Sequence, residues 1–150
     1  MSSAKPRSQA RSAARLAAVQ ALYQNHMEDI SLVRLLDEFH QHRLGREIED
    51  AQYADAEVAF FDDVVKGAIA REDELDALLQ SKLADGWAVG RLDRTMLQIL
   101  RAGAYELVAR KDVPHASVIS EYVDVAHAFF DQREAKFVNG VLDAVAKAVR

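Results

Sequence analysis

Residues 91–107 read RLDRTMLQILRAGAYEL, and this stretch shows the pattern on which the chain is built. Apolar residues recur in it every three or four positions, at Leu92, Met96, Ile99, Leu100 and Leu107. That spacing gathers apolar side chains on one face of an α-helix, whereas a half-buried strand would alternate apolar and polar residues. The stretch therefore predicts an amphipathic helix.

The same spacing recurs in six further segments, and sustained alternation is absent, so the sequence predicts an all-α fold of seven helices. Ser31 is the expected cap of the second helix, and Asp131 with Glu134 resembles a capping box for the last. The stretch LGREIEDAQYA at 44–54 predicts a surface loop. Glycines interrupt three helical patterns, and close approach of another helix is the expected reason at Gly67, Gly103 and Gly140.

Length and composition indicate one folded domain over residues 1–150, with a flexible basic N-terminus to about residue 10. Half of the residues are apolar and there is no cysteine, which excludes disulfides and fits a reducing cytoplasm. The sequence contains no run of about 18 apolar residues, so it predicts no membrane-spanning helix. We therefore expect a cytoplasmic protein.

Charge is distributed unevenly along the chain. Residues 1–15 contain four basic residues and no acid, whereas residues 28–63 contain eleven acids against three arginines. This asymmetry favours one surface for a polyanion and another for a basic partner. A solvated acidic surface with no partner is the alternative.

Enzyme signatures are scarce, since the chain has no glycine-rich phosphate loop, no GxSxG and no HExxH. The only metal hint is a pair of Asp-x-x-His spacings, at Asp37 with His40 and at Asp124 with His127. Helical dimetal centres use glutamates at such positions, so ordinary surface residues are the preferred interpretation. The sequence predicts no enzyme activity, no metal and no cofactor.

The first basic cluster contains Arg7, Arg11 and Arg15. At 100° per residue they span about 80° of a helix surface, so one ligand could contact all three. Cations near a helix N-terminus oppose its dipole, which favours a polyanion as the reason for their presence. A solvated basic tail is the alternative.

The second basic cluster lies in QREAKFVNGVLD at 132–143, where Arg133 and Lys136 accompany Phe137 and Asn139. Cations for phosphate, an amide for base edges and a ring for stacking are the groups that bind single-stranded RNA. Phe137 also fits the apolar stripe of the last helix, and a core position is the preferred interpretation for its ring.

Together these segments resemble the transcription antitermination factor NusB family, from about Arg11 to Val149. The motifs that carry the resemblance are AVQALYQ at 18–24, the stretch at 91–107 quoted above, DVP at 112–114, VISEYVDVAHAF at 118–129 and KFVNGVLD at 136–143. The resemblance implies a seven-helix bundle of two subdomains, three helices packed on four, with no catalytic activity.

It also implies binding of boxA, a single-stranded element of ribosomal RNA leader transcripts, together with NusE, a small-subunit ribosomal protein, in an RNA polymerase antitermination complex. The arginine-rich motif of the family maps onto Arg11 and Arg15, with Arg7 just upstream, and a following tyrosine onto Tyr23. The rest of the RNA surface maps onto Lys136, Phe137 and Asn139. The arginines are more widely separated than is usual in the family, which predicts weaker RNA binding without NusE. A helical protein-interaction scaffold and a homodimer stay open as alternatives.

Overall fold

The computed structural model describes the backbone of residues 4–42, 44 and 51–150, and the side chains of residues 9–42, 44 and 58–150. Within these ranges the chain is helical and contains no strand. The helices are α1 (Ala4–Met27), α2 (Leu32–His42), α3 (Ala51–Ala70), α4 (Glu72–Gln80), α5 (Arg94–Ala109), α6 (His115–Phe129) and α7 (Gln132–Val149). The prediction of an all-α fold with seven helices is confirmed.

The chain divides into two compact units, Met1–Lys66 and Gly67–Arg150. The first unit contains α1, α2 and most of α3, and the second contains the end of α3 and helices α4 to α7. This division matches the predicted grouping of three helices and four.

The core of the first unit combines small residues on α1 with aromatic residues from α2 and α3. Ala14 and Ala18 are fully buried, and their small side chains allow α1 to lie close to its neighbours. Phe39 stacks on Phe61, with ring centroids 5.5 Å apart. The predicted cap of α2 is confirmed, because the Arg34 N–H donates to Ser31 Oγ at 3.3 Å.

The core of the second unit is built around α5, which packs against α4, α6 and α7. Every residue from Met96 to Leu107 is buried, so α5 is surrounded on all sides rather than on one face. Its N-terminus is capped by Asp93, whose carboxylate accepts hydrogen bonds from the Thr95 and Met96 N–H groups. At its other end, the Arg150 guanidinium donates to the carbonyl oxygens of Leu107 and Arg110.

A buried arginine joins α5 to α4. Arg101 donates two hydrogen bonds of 2.7 Å to the Asp76 carboxylate and forms an ion pair of 3.0 Å with Glu72. Burial disfavours the charge on Arg101, but the hydrogen bond to Asp76 and the surrounding carboxylates outweigh it and raise the pKa of the guanidinium. Glu72 and Asp76 are four residues apart on α4, so one guanidinium binds successive turns of that helix.

Helix α1 begins at Ala4 and Ala10 is buried, and the flexibility of the N-terminus to about residue 10 stays a prediction. Two local predictions are wrong. Helix α3 begins at Ala51 and Leu44 is buried, although both lie in the predicted surface loop at 44–54. Asp131 precedes α7 but its side chain makes no capping hydrogen bond, and the Glu134 carboxylate accepts from Arg133 instead of completing a capping box.

The helical glycines are expected to allow close approach of another helix backbone, but at Gly67 and Gly103 the close neighbour is a side chain, and at Gly140 no atom is close. A Cβ at Gly67 would collide with the Tyr105 ring, and one at Gly103 would lie 2.8 Å from Leu142 Cδ1. Gly140 is exposed, and a Cβ there would meet no atom within 4 Å. Packing inside the described part of the molecule therefore gives no reason for this glycine.

No helix in the described ranges is long and apolar enough to cross a membrane.

Candidate RNA interface

The predicted RNA-binding residues are distributed over two helices, one in each unit. Arg7, Arg11, Arg15 and Tyr23 belong to α1, and the side chain of Arg7 lies outside the described residues. Arg133, Lys136, Phe137 and Asn139 belong to α7. We describe each group within its own unit.

Arg11 and Arg15 pack on an aromatic ring of their own unit. Their guanidinium carbons lie 4.5 Å and 4.8 Å from the centroid of the Phe60 ring. Arg15 is only 4% exposed, whereas Arg11 is half-buried. A guanidinium over an aromatic face is attracted by the ring quadrupole, and the attraction grows when water is excluded. Arg15 therefore has a structural role in the first unit.

This arrangement corrects two steps of the sequence argument. The part of α1 from residue 10 onward does have a packing surface, since Ala10, Ala14 and Arg15 are all buried. Arg11 and Arg15 also lie seven and eleven residues beyond Ala4, the first residue of the helix. The dipole acts mainly within the first turn, so it does not disfavour these two cations. The packing of Arg11 and Arg15 against Phe60, and not the helix dipole, therefore explains why arginines occupy these positions.

Tyr23 lies near the C-terminal end of α1 and is 38% exposed. The sequence places it on the apolar stripe with Val19, which is fully buried. Met27, one turn further along α1, is also exposed. Tyr23 is thus accessible to a ligand, unlike Val19 of the same stripe.

The α7 cluster lies at the surface. The Arg133 side chain is 93% exposed, and Lys136 and Asn139 are exposed at successive three-residue intervals. Phe137 is half-buried between Lys136 and the fully buried Val138. Arg133 reaches the Glu134 carboxylate at 3.4 Å, but an exposed pair of this kind is weak and exchanges readily with other anions. The cluster can therefore bind an incoming phosphate.

The structure adds an aromatic residue that the sequence argument missed. Trp87 lies between α4 and α5, and its ring centroid is 5.8 Å from that of Phe137, with the planes inclined by 32°. Trp87 is 55% exposed. It is the single tryptophan of the chain and stands between Gly86 and Gly90, which is the only signal in the sequence that could have indicated it.

The predicted metal spacings do not form a cluster. His40 pairs with Asp62 of α3 at 2.6 Å, while Asp37 accepts hydrogen bonds from Gln41. Asp124 and His127 are both exposed on α6. Among the described residues, no group of three or more candidate ligands could hold a metal ion.

Comparison with known proteins identifies a single family. The model of the NusB family matches residues 12–147. The chain is 75% identical over 141 residues to the transcription antitermination protein NusB of Novosphingobium aromaticivorans, covering 94% of this chain and 95% of that protein. It is 66% identical to the corresponding protein of Sphingopyxis alaskensis, covering 96% and 97%.

The fold has solved counterparts. A chain in the crystal structure of the antitermination factors NusB and NusE in complex with dsRNA superposes with a TM-score of 0.77 at 26% identity. The match covers 93% of this chain and 98% of that one.

Proposed function

The chain belongs to the NusB family, and from this premise we propose that it is an RNA-binding adaptor of transcription antitermination. With NusE it binds the boxA element of ribosomal RNA leader transcripts in the cytoplasm. The complex associates with RNA polymerase and promotes processive transcription. The protein acts by binding and not by catalysis, and it requires no cofactor.

The observation that carries this proposal is the exposed α7 cluster. Arg133 and Lys136 supply mobile positive charge at the surface, and Asn139 supplies an amide that can read a base edge. Phe137 belongs to the same stretch of α7 as these cations, and its ring contacts Trp87. Charge, amide and ring are thus combined on a few successive turns, as recognition of unpaired bases requires.

The α1 residues enter the proposal with different roles. Arg11 and Tyr23 retain accessible surface and are proposed as RNA contacts, together with Arg7. Arg15 is buried over Phe60 and is proposed as a positioning residue that fixes this part of α1. A smaller set of accessible arginines gives fewer phosphate contacts, which favours joint binding with NusE.

NusE is expected to meet the acidic side of the molecule. Glu28, Asp29 and Asp37 are exposed in the first unit, and a ribosomal protein is a basic partner of matching charge. The related crystal structure contains NusB, NusE and dsRNA together, which supports the partnership. Because that RNA is double-stranded, both RNA forms must be compared for this chain.

The deciding experiment is a titration of the purified chain with single-stranded boxA RNA and with dsRNA, across a salt series, with and without NusE. We expect tighter binding with NusE and a preference for the single strand. Affinity should fall as salt rises, with a slope near 0.7 per phosphate neutralised on a single strand. Sedimentation of the complex reports whether it contains one copy of the chain or two.

The variant for this titration is Arg133→Ala with Lys136→Ala. It should weaken RNA binding and flatten the salt dependence, while helicity stays unchanged. The matched control is Lys66→Ala with Lys111→Ala, which also removes two exposed cations. Equal losses in both double variants would show only a general charge effect. No RNA binding under any condition would favour the protein-interaction scaffold instead.

A further inference from the structure

Trp87 occupies an unusual position for a large aromatic side chain. More than half of it is exposed, although the burial of an indole contributes strongly to stability. Phe137 covers only part of the ring, across a centroid distance of 5.8 Å. Phe129, the other exposed large hydrophobic residue of this unit, is less exposed. The open part of Trp87 is therefore available to a ligand.

The backbone around Trp87 is held in place on both sides. The Gln80 side-chain amide donates to the Trp87 carbonyl oxygen at 2.8 Å, and its oxygen accepts from the Val89 N–H at 2.9 Å. Gly86 adopts a φ of +87°, which a side chain would disfavour. Trp87 is thus presented by a fixed turn, so a ligand that binds it has little ordering entropy to overcome.

The surroundings of this ring pair indicate the kind of ligand. Arg133 lies one helical turn before Phe137 on the same face of α7, and Lys136 lies about 100° around the helix from Phe137, one turn beyond Arg133. Gly140 lies on the same face one turn later, where a Cβ would meet no atom of the protein within 4 Å. Cations beside an exposed aromatic pair, with an open backbone position next to them, fit a base with its phosphates better than an apolar peptide.

We propose that Trp87 and Phe137 form a platform on which one unpaired base of the bound RNA stacks. Arg133 and Lys136 bind the adjoining phosphates, and Gly140 leaves room for the strand. This inference rests on the proposed RNA binding and adds Trp87 as a residue that the family resemblance and the sequence argument do not include. Gln80 is its positioning residue.

The test uses the fluorescence of the single tryptophan. Single-stranded boxA RNA is titrated into the full chain, in the presence of NusE if binding alone is weak. Because NusE can contribute its own tryptophan signal, the Trp87→Phe variant gives the blank. Stacking of a base on Trp87 predicts quenching that saturates with binding. A series of RNAs, each with one abasic site, should lose the quenching at a single position.

Trp87→Leu should weaken binding of this RNA about 5- to 150-fold, the usual effect of removing one stacked base. The salt slope should not change, since no charge is removed. Trp87→Phe keeps a ring and should retain most of the affinity. If Trp87→Leu does not fold, the quenching of Trp87 in the wild-type chain, and its loss at one abasic position, decides the question. Phe129→Leu is the matched control for removing an exposed ring and should bind normally.

The outcomes separate this inference from the proposed function. RNA binding without quenching, with unchanged affinity in the Trp87 variants, would overturn the platform and leave the RNA-binding function intact. Failure of the wild-type chain to bind RNA would overturn both. Quenching by every abasic RNA would show a change around Trp87 without a stacked base, and would also overturn the platform.

Discussion

Helices α1 and α7 each carry two cations one helical turn apart, yet the structure uses them differently. On α1, Arg11 and Arg15 pack over Phe60, and Arg15 is removed from solvent. On α7, Arg133 and Lys136 project into solvent. The difference lies in the partners, because an aromatic ring from α3 covers the first pair. A basic cluster in a sequence therefore does not always form a basic surface. The burial of the side chains distinguishes a structural role from a ligand-binding one.

The largest effect is expected at Arg101, whose buried guanidinium pairs with Asp76 and Glu72. Arg101→Ala should lower the free energy of unfolding by about 3 kcal/mol, at the lower end for a buried pair because its carboxylates are partly exposed. Denaturant unfolding measures this change, and a loss below about 1 kcal/mol would contradict it.

This contribution should not vary with pH in the ordinary range. Although burial disfavours its charge, hydrogen bonding to Asp76 raises the pKa of Arg101 above its usual value. A raised pKa of a basic group gives stability that is present at lower pH and is lost only as the pH rises through the folded value. The difference between wild type and Arg101→Ala should therefore stay constant until strong alkali.

The next effect tests the structural role of Arg15. Arg15→Ala should cost about 2 kcal/mol of unfolding free energy through lost packing and cation–π attraction on Phe60. Arg133→Ala, the exposed counterpart, should change stability by no more than about 0.5 kcal/mol. Parallel thermal and denaturant unfolding of the two variants gives the comparison. If Arg15→Ala were as stable as wild type but bound RNA weakly, Arg15 would be a contact residue instead.

Gly103 and Gly140 test the same contrast between a buried and an exposed position. Gly103→Ala should cost about 1–3 kcal/mol, because the added methyl group meets Leu142 in the core. Gly140→Ala should raise stability by up to about 1 kcal/mol, since alanine favours the helix and the site is open. We expect the stabilised Gly140 variant to bind RNA more weakly than wild type. Unchanged RNA affinity would show that the strand does not approach Gly140.

The smallest effect provides the baseline for exposed ion pairs. The Arg71–Glu74 hydrogen bond lowers the pKa of Glu74, so its contribution is present above the ordinary pKa of about 4.5 and is lost as the pH falls through the lowered value. Because the pair is solvated, Glu74→Gln should leave the Tm within about 1 °C of wild type at neutral pH. A larger Tm shift would mean that exposed ion pairs contribute to the stability of this protein. The exposed Arg133–Glu134 pair would then have to be treated as a structural contact as well.

The helices could be predicted from the sequence because the apolar spacing is regular, and caps such as Ser31 depend on adjacent residues. The start of α3 could not, since LGREIEDAQYA has loop composition, although its last residues are helical. Asp131 with Glu134 has the spacing of a capping box, yet the Asp131 side chain makes no capping hydrogen bond. Spacing shows that a capping bond is possible, but it does not determine the orientation of the side chain.

The candidate site was predictable only in part, for a related reason. The α7 cluster lies within one short segment, so its residue types and spacing are visible together. The burial of Arg15 depends on Phe60, which is 45 positions away in the chain. Trp87 joins Phe137 across 50 positions. Contacts between distant segments leave no local signal, and they determine which residues a ligand can reach.

The ion pair of Arg101 has a consequence for genetics. A nine-residue helix is too short to persist without tertiary contacts, and Arg101 binds two successive turns of α4. Gln80, the last residue of α4, in turn holds Trp87. A screen for alleles defective in antitermination should therefore recover substitutions at Arg101. If Arg101 were then interpreted as a nucleic-acid contact, the binding surface would be assigned to the wrong place.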